Sequence, residues 1–436
     1  MPRRGILCVV SAPTTELLFA RGQMAYSLAF HIVFAAVGIA MPVLMVAAEA
    51  LWRRTGDAIH LDLARRWAKG TAVLFAVGAV SGTVLSFELG LLFPRFMEHA
   101  GAIIGLPFSL EGVAFFTEAI FLGLYLYGWD RLRPSVHMLC GVLVAVSGIA
   151  SAAFVTIANA WMNAPTGFRL EDGKLVDIDP IAAMATPFAL HEVLHTILAA
   201  FMATALAVAA IHAWALLRGT NTRLHRNALA LALALGIPSA LAQPIVGHMA
   251  GQMVARHQPL KLAAMEGLEK TTAGAPLHLG PIEIPGMLSW LAFGDTDATV
   301  IGLEEFPAAD RPHSIVRVAY QVMIGLGSAA AAYAIITLLL VWRRRGLPDS
   351  RWWLRITVLL GPAGVIAMEA GWTVTEVGRQ PWTIYGILRT ADAATPVGGL
   401  WLPFTLFALV YLGLAVVVVA VLVHQVRQTT EPPGAG

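Results

Sequence analysis

Apolar residues dominate nine stretches of the chain, at about 24–50, 71–93, 106–129, 136–160, 184–217, 227–252, 314–342, 352–375 and 399–424. A helix that crosses the hydrocarbon core of a bilayer needs ~20 mostly apolar residues. Each stretch meets that length, and the Pro and Gly inside several of them are tolerated better in lipid than in water. No internal repeat or low-complexity segment stands out. The pattern predicts an all-α polytopic membrane protein: an N-terminal extension (1–23), helices one to six (24–252), a long loop (253–313), helices seven to nine (314–424) and a tail (425–436).

The polar connections alternate in character. Those after spans one, three, five and seven are short and basic, as in "RRTGDAIHLDLARRWAK" and "RRRGLPDSR". The other side includes the loop 253–313 and has a lower density of Lys and Arg. The positive-inside rule then places the short basic loops and the C-terminus in the cytoplasm. The N-terminus and the long loop are expected on the periplasmic side.

Composition agrees. Of 436 residues, 58% are hydrophobic and 13% charged, against ~25% charged in soluble domains. A net charge of +2 gives no reason to expect a nucleic-acid partner. The two cysteines, Cys8 and Cys140, supply neither a disulfide framework nor a CxxC metal site. The apolar part of the opening "MPRRGILCVVSAPTTELL" is too short for a good signal peptide, and Glu16 interrupts it.

Ionisable residues inside membrane spans are costly, so each is a functional candidate. At 1.5 Å per residue, His31, Glu111, Glu118, His191, His195, Met323 and Glu376 all fall in the outer half of their spans. Facing lipid would be expensive, so they are expected to face one another. Imidazole, thioether and carboxylate are all ligands that haem iron accepts, and a His/Met pair gives a six-coordinate electron-transfer haem. The plainer alternatives are interhelical hydrogen bonds, a Glu111/Glu118 pair two turns apart on one face, and a salt bridge between Glu376 and Arg379 at a helix end. His191 and His195 share a face, with one of the two as the metal ligand.

Six segments, in order, resemble subunit I of the cytochrome bd quinol oxidases. They are "ARGQMAYSLAFH", "LEGVAFFTEAIFLGLYLYGWDRL", "VLHTILAAF", "KLAAMEGLE", "QVMIGLG" and "GWTVTEVGRQPW". The resemblance covers nearly the whole chain. It implies that His195 and Met323 ligate a low-spin haem b. It implies that His31 and Glu376 each ligate a high-spin haem: one a haem b, the other a haem d or a further haem b in its place. Glu111 matches an acid at the oxygen-reducing haem, and Glu118 one on its proton route. Lys261 and Glu266 match loop residues of quinol oxidation. Trp372 matches a tryptophan between haems, and Arg379 an arginine near their propionates. Two departures are visible. Gln321 stands where many members have Arg, and "FELGLLFPRFM" is closer to the cyanide-insensitive branch.

The implied function is a terminal oxidase in the bacterial inner membrane. It takes electrons from ubiquinol or menaquinol at the outer face and reduces dioxygen to water with cytoplasmic protons. The implied partners are membrane lipid, subunit II and, in some members, a small single-span subunit. Two other classes compete. A cytochrome b-type quinol:acceptor oxidoreductase needs histidine pairs four turns apart on two spans, which are missing. A non-haem transporter would suit the broken run "GIPSALAQPIVGH".

Overall fold

The structure, a computed structural model, describes residues 14–220, 222–279 and 282–430. Thirteen α-helices follow in order: α1 Thr14–Thr55, α2 Ala58–Leu92, α3 Pro94–Tyr127, α4 Pro134–Asn163, α5 Pro180–Met184, α6 Ala189–Leu217, α7 Thr222–His257, α8 Pro259–Glu266, α9 Met287–Phe293, α10 Ile315–Arg344, α11 Arg351–Gly378, α12 Thr390–Ala393 and α13 Trp401–Thr430. Among the described residues, nine are long and apolar enough to cross a membrane: α1 to α4, α6, α7, α10, α11 and α13. The nine expected spans are these nine helices.

Their ends differ from the apolar stretches, and the caps explain why. The polar run after span one is mostly helix, because Asp57 N-caps α2 by accepting from the Ile59 amide at 3.1 Å. The first helix starts at Thr14, ten residues before the apolar run. Glu16, which interrupts the N-terminal opening stretch, accepts from the Gly399 and Leu400 amides at 3.1 and 2.9 Å. It thereby caps the start of α13, where a carboxylate also complements the helix dipole. The remainder of the expected extension, 1–13, lies outside the described residues, as do 431–436 of the expected tail.

The largest core layer joins α1, α2, α3, α4, α6, α7, α10 and α11 through residues such as Leu44, Leu63, Tyr125, Leu206, Leu229 and Tyr333. Small residues allow close approach: a methyl on Gly361 or Gly364 would meet Ala210 or Ala203 of α6 at 2.5 and 2.7 Å. The long loop is structured rather than loose. It holds α8, α9 and short two-stranded antiparallel ribbons, and Leu262, Ala275, Leu288, Ala292 and Val300 pack it onto Ala255 of α7.

Candidate functional site

His191, His195, Met323 and Glu376 lie near the helix ends next to the long loop, whereas Glu111 lies near the middle of α3 and Glu118 nearer its opposite end. Helix α11 ends at Gly378, just before Pro381, which has no amide to continue the ladder. Arg379 donates from Nη2 to Glu376 Oε2 at 2.7 Å. Asn159 of α4 donates its side-chain amide to Glu376 Oε1. The salt bridge that the sequence offered as an alternative is therefore present. Arg379 does not sit at a solvated rim, because it is only 3% exposed. Its Nε and Nη1 groups are buried without a partner among the described residues.

Helix α8 is buried from Leu260 through Glu266. Lys261 and Glu266 therefore do not lie on a solvated helix face. Lys261 lies against Gly378 and donates to Asn163 Oδ1 at 2.7 Å and to the Thr375 carbonyl at 3.3 Å. Burial, and then the nearby Arg379 charge, pull its ammonium below the usual lysine range. Glu266 points the other way, toward α10, where the Tyr320 hydroxyl donates to it and Arg317 lies close. Burial dominates there and pushes the Glu266 carboxyl up to about 7. Gly267, at φ +66°, ends α8 in the left-handed conformation that favours glycine. A Cβ at that position would strike the Arg317 guanidinium at 2.6 Å.

Three of the expected iron ligands each lie against a glycine on a neighbouring helix. His31 of α1 meets α2: its Nδ1 is 3.0 Å from Ser81 Oγ, and a methyl on Gly82 would stand 2.9 Å from its Cε1. His195 of α6 meets α7 at Gln243, 3.2 Å away, and at Gly247, where a methyl would stand 3.1 Å from Cε1. Met323 of α10 meets α11, its Sδ 3.1 Å from a methyl built on Gly371. Trp372 packs in a cluster with Ile32 of α1 and Ala199 and Ala203 of α6. It therefore stands among the helices that carry His31 and His195.

Glu111 and Glu118 both face α4. Ser151 donates to Glu111 at 3.1 Å. Glu118 is buried, its carboxyl 3.3 Å from a methyl built on Gly148 and 3.6 Å from one on Gly38 of α1. The expected interhelical hydrogen bond is thus present at Glu111, and the two acids address the same helix, α4, from one face of α3.

Several polar groups of the site were not anticipated. Asn159 and Asn163 share a face of α4. Both carboxylate oxygens of Glu192, one turn before His195, are buried without a partner among the described residues, close to Lys261, Glu376 and Arg379. Glu88 of α2 accepts from Gln23 and Ser27 of α1 at 2.8 and 3.0 Å. Intramembrane polarity is the signal that the sequence carries for them.

This donor set fits iron porphyrin better than a bare ion. Among the described residues no group of three His, Cys, Asp or Glu could hold a metal. A haem asks for one or two axial donors, since the macrocycle supplies the rest. The orphaned Arg379 N–H groups suit an anionic propionate, which guanidinium can bind through parallel hydrogen bonds.

A family model described as cytochrome bd terminal oxidase subunit I matches residues 19–430. The putative cytochrome bd menaquinol oxidase subunit I of Bacillus subtilis (strain 168) is 37% identical over 95% of this chain and 97% of its own length. The cytochrome bd ubiquinol oxidase subunit 1 of the same strain is 30% identical, over 96% and 95%. The bd oxidase structure from Geobacillus thermodenitrificans superposes with a TM-score of 0.88 at 37% identity, covering 95% of this chain and 98% of that one.

Proposed function

Since the chain belongs to the cytochrome bd terminal oxidase subunit I family, we propose a specific division of labour among its residues within the quinol oxidase that this family forms with subunit II. The protein is a multi-pass component of the bacterial inner membrane that serves quinol oxidation and dioxygen reduction. His195 and Met323 would hold a low-spin haem b. His31 and Glu376 would each hold a high-spin haem, one of them a haem b and the other a haem d or a further haem b. When bound, these groups supply the one-electron redox chemistry between quinol and dioxygen.

The protein's own residues bind, orient and move protons. Glu266, its carboxyl raised to about 7, accepts a proton from quinol at the outer face. Lys261 spends two donors on Asn163 and Thr375. As an ammonium it keeps a third for a quinol oxygen; as an amine it offers a lone pair. The loop 253–313 is the quinol-binding element on the periplasmic side, with the N-terminus outside and the C-terminus inside. Protons from the cytoplasm pass Glu118 and then Glu111. Arg379 would hold a propionate, and Trp372 would stand between the haem-bearing helices.

The observation that carries this reading is the convergence of imidazole, thioether and carboxylate donors at one end of the bundle, three of them seated on glycines. The test is a reduced-minus-oxidised spectrum of the purified two-subunit complex, with pyridine haemochrome analysis. Low-spin and carbon-monoxide-sensitive high-spin bands are expected, with the low-spin band lost in His195→Ala. A colourless folded complex overturns the assignment.

A further inference from the structure

An unbroken chain of hydrogen bonds joins the loop helix α8 to the carboxylate on α11. Lys261 Nζ donates to Asn163 Oδ1 at 2.7 Å. Asn163 Nδ2 donates to Asn159 Oδ1 at 2.9 Å. Asn159 Nδ2 donates to Glu376 Oε1, and Arg379 closes the other side of the carboxylate. Both amides are used in one sense, oxygen toward Lys261 and nitrogen toward Glu376. Turning either over would set donor against donor, so the ends of the chain dictate its direction. Asn163 is 1% exposed, and it also takes a bond from Gln258 Nε2 to its carbonyl at 2.8 Å. In a medium without water, such aligned bonds polarise one another.

Resting on the proposed ligation by Glu376, we infer that Asn163 and Asn159 are positioning residues that couple the quinol loop to the haem ligand. A quinol that draws Lys261 toward itself loosens its bond to Asn163. Asn163 then turns its amide less firmly on Asn159, and the electron density that Glu376 keeps for a metal rises. Loop occupancy and the electronic state of the ligand are thereby linked through two neutral amides, with no residue of the chain itself reacting.

The competing explanation is that the two asparagines only satisfy the end of α4, since Asn163 Nδ2 also reaches the Asn159 carbonyl at 3.1 Å. A double-mutant cycle separates the two. Lys261→Met, Asn163→Ala and the pair are made in the intact two-subunit oxidase. The midpoint potential and absorption of the high-spin haem are read, with the low-spin haem as internal reference. Coupling predicts that Lys261→Met shifts the high-spin signal, and that the shift vanishes when Asn163 is Ala. Asn163→Ser, which retains a small hydrogen-bonding oxygen, serves the same cycle if the Ala variant does not assemble. Equal Lys261→Met shifts in both backgrounds, or no shift in either, overturn the coupling. A wild-type complex without a high-spin band instead overturns the ligation by Glu376, so the two failures are told apart.

Discussion

Arg379 and Glu376 form a partly buried ion pair across one helical turn, 2.7 Å from Nη2 to Oε2, with the guanidinium side chain 2% exposed. Removing one partner of such a pair strands the other charge, at a cost of about 3 kcal/mol or more. Arg379→Gln is therefore expected to lower the melting temperature and weaken haem retention at the Glu376 site. Arg379→Lys keeps the charge but loses the planar fork, so it should fall between Gln and wild type. Thermal unfolding and the high-spin absorption check this order; a Gln variant with wild-type melting and bands contradicts it.

Gly247 and Gly371 lie on different helices, α7 and α11, yet each gives room to one proposed ligand of the same haem. An added methyl would stand 3.1 Å from His195 Cε1 in one case and 3.1 Å from Met323 Sδ in the other. Crowding of this kind typically costs ~1–3 kcal/mol. Gly247→Ala and Gly371→Ala should both broaden or shift the low-spin band and leave the high-spin bands in place. Gly82→Ala, 2.9 Å from His31 Cε1, should do the reverse. If the first two variants disturb different bands, His195 and Met323 do not share a haem.

The spans were readable because ~20 apolar residues admit few other structures. The candidates His31, His195, Met323 and Glu376 were readable because such side chains are rare in lipid. What stayed hidden depends on contacts distant in sequence. Glu16 caps residues 383 and 384 positions away, and within its own run it reads only as an interruption. Asn159 and Asn163 are neutral, so a search for charges and metal ligands passes over them, although their spacing of four on span four was visible. The burial of α8 was also hidden. "KLAAMEGLE" has the composition of a solvated helix, and only its packing between α7, α10 and α11 covers Lys261 and Glu266. Asp57, by contrast, was a legible start signal for α2 that the polarity of the following residues masked.

Glu266 sets a pH dependence. Burial raises its folded-state carboxyl to about 7, against an ordinary value near 4.5. The folded protein therefore binds a proton that the unfolded chain has released, and the contribution of this group to stability falls as pH rises from about 4.5 to 7. Function runs in the opposite sense, because only the ionised carboxylate accepts a proton. The kcat/KM for quinol is expected to climb through a limb centred near pH 7, and Glu266→Gln should flatten that limb and lower the plateau by about a hundredfold. Steady-state oxygen uptake with a soluble quinol, from pH 5.5 to 8.5, is the measurement. A limb that survives in Glu266→Gln assigns the titration to another group.

Glu118 and Glu111 lie two turns apart on α3, and both address α4, at Gly148 and at Ser151. Glu118 is the more deeply buried of the two, with Gly148 of α4 and Gly38 of α1 beside its carboxyl and no salt bridge among the described residues. That setting suits a group that takes up and passes on a proton, and a fixed charge would be costly there. Glu118→Gln preserves shape and hydrogen bonding but cannot carry a proton. It should leave the haem bands intact and slow dioxygen reduction by about a hundredfold, the usual scale for losing a positioned proton donor. Single-turnover mixing of the reduced complex with dioxygen isolates the step: proton uptake should lag in Glu118→Gln, while electron transfer before it keeps its wild-type rate. Unchanged proton uptake would move the route off this face of α3.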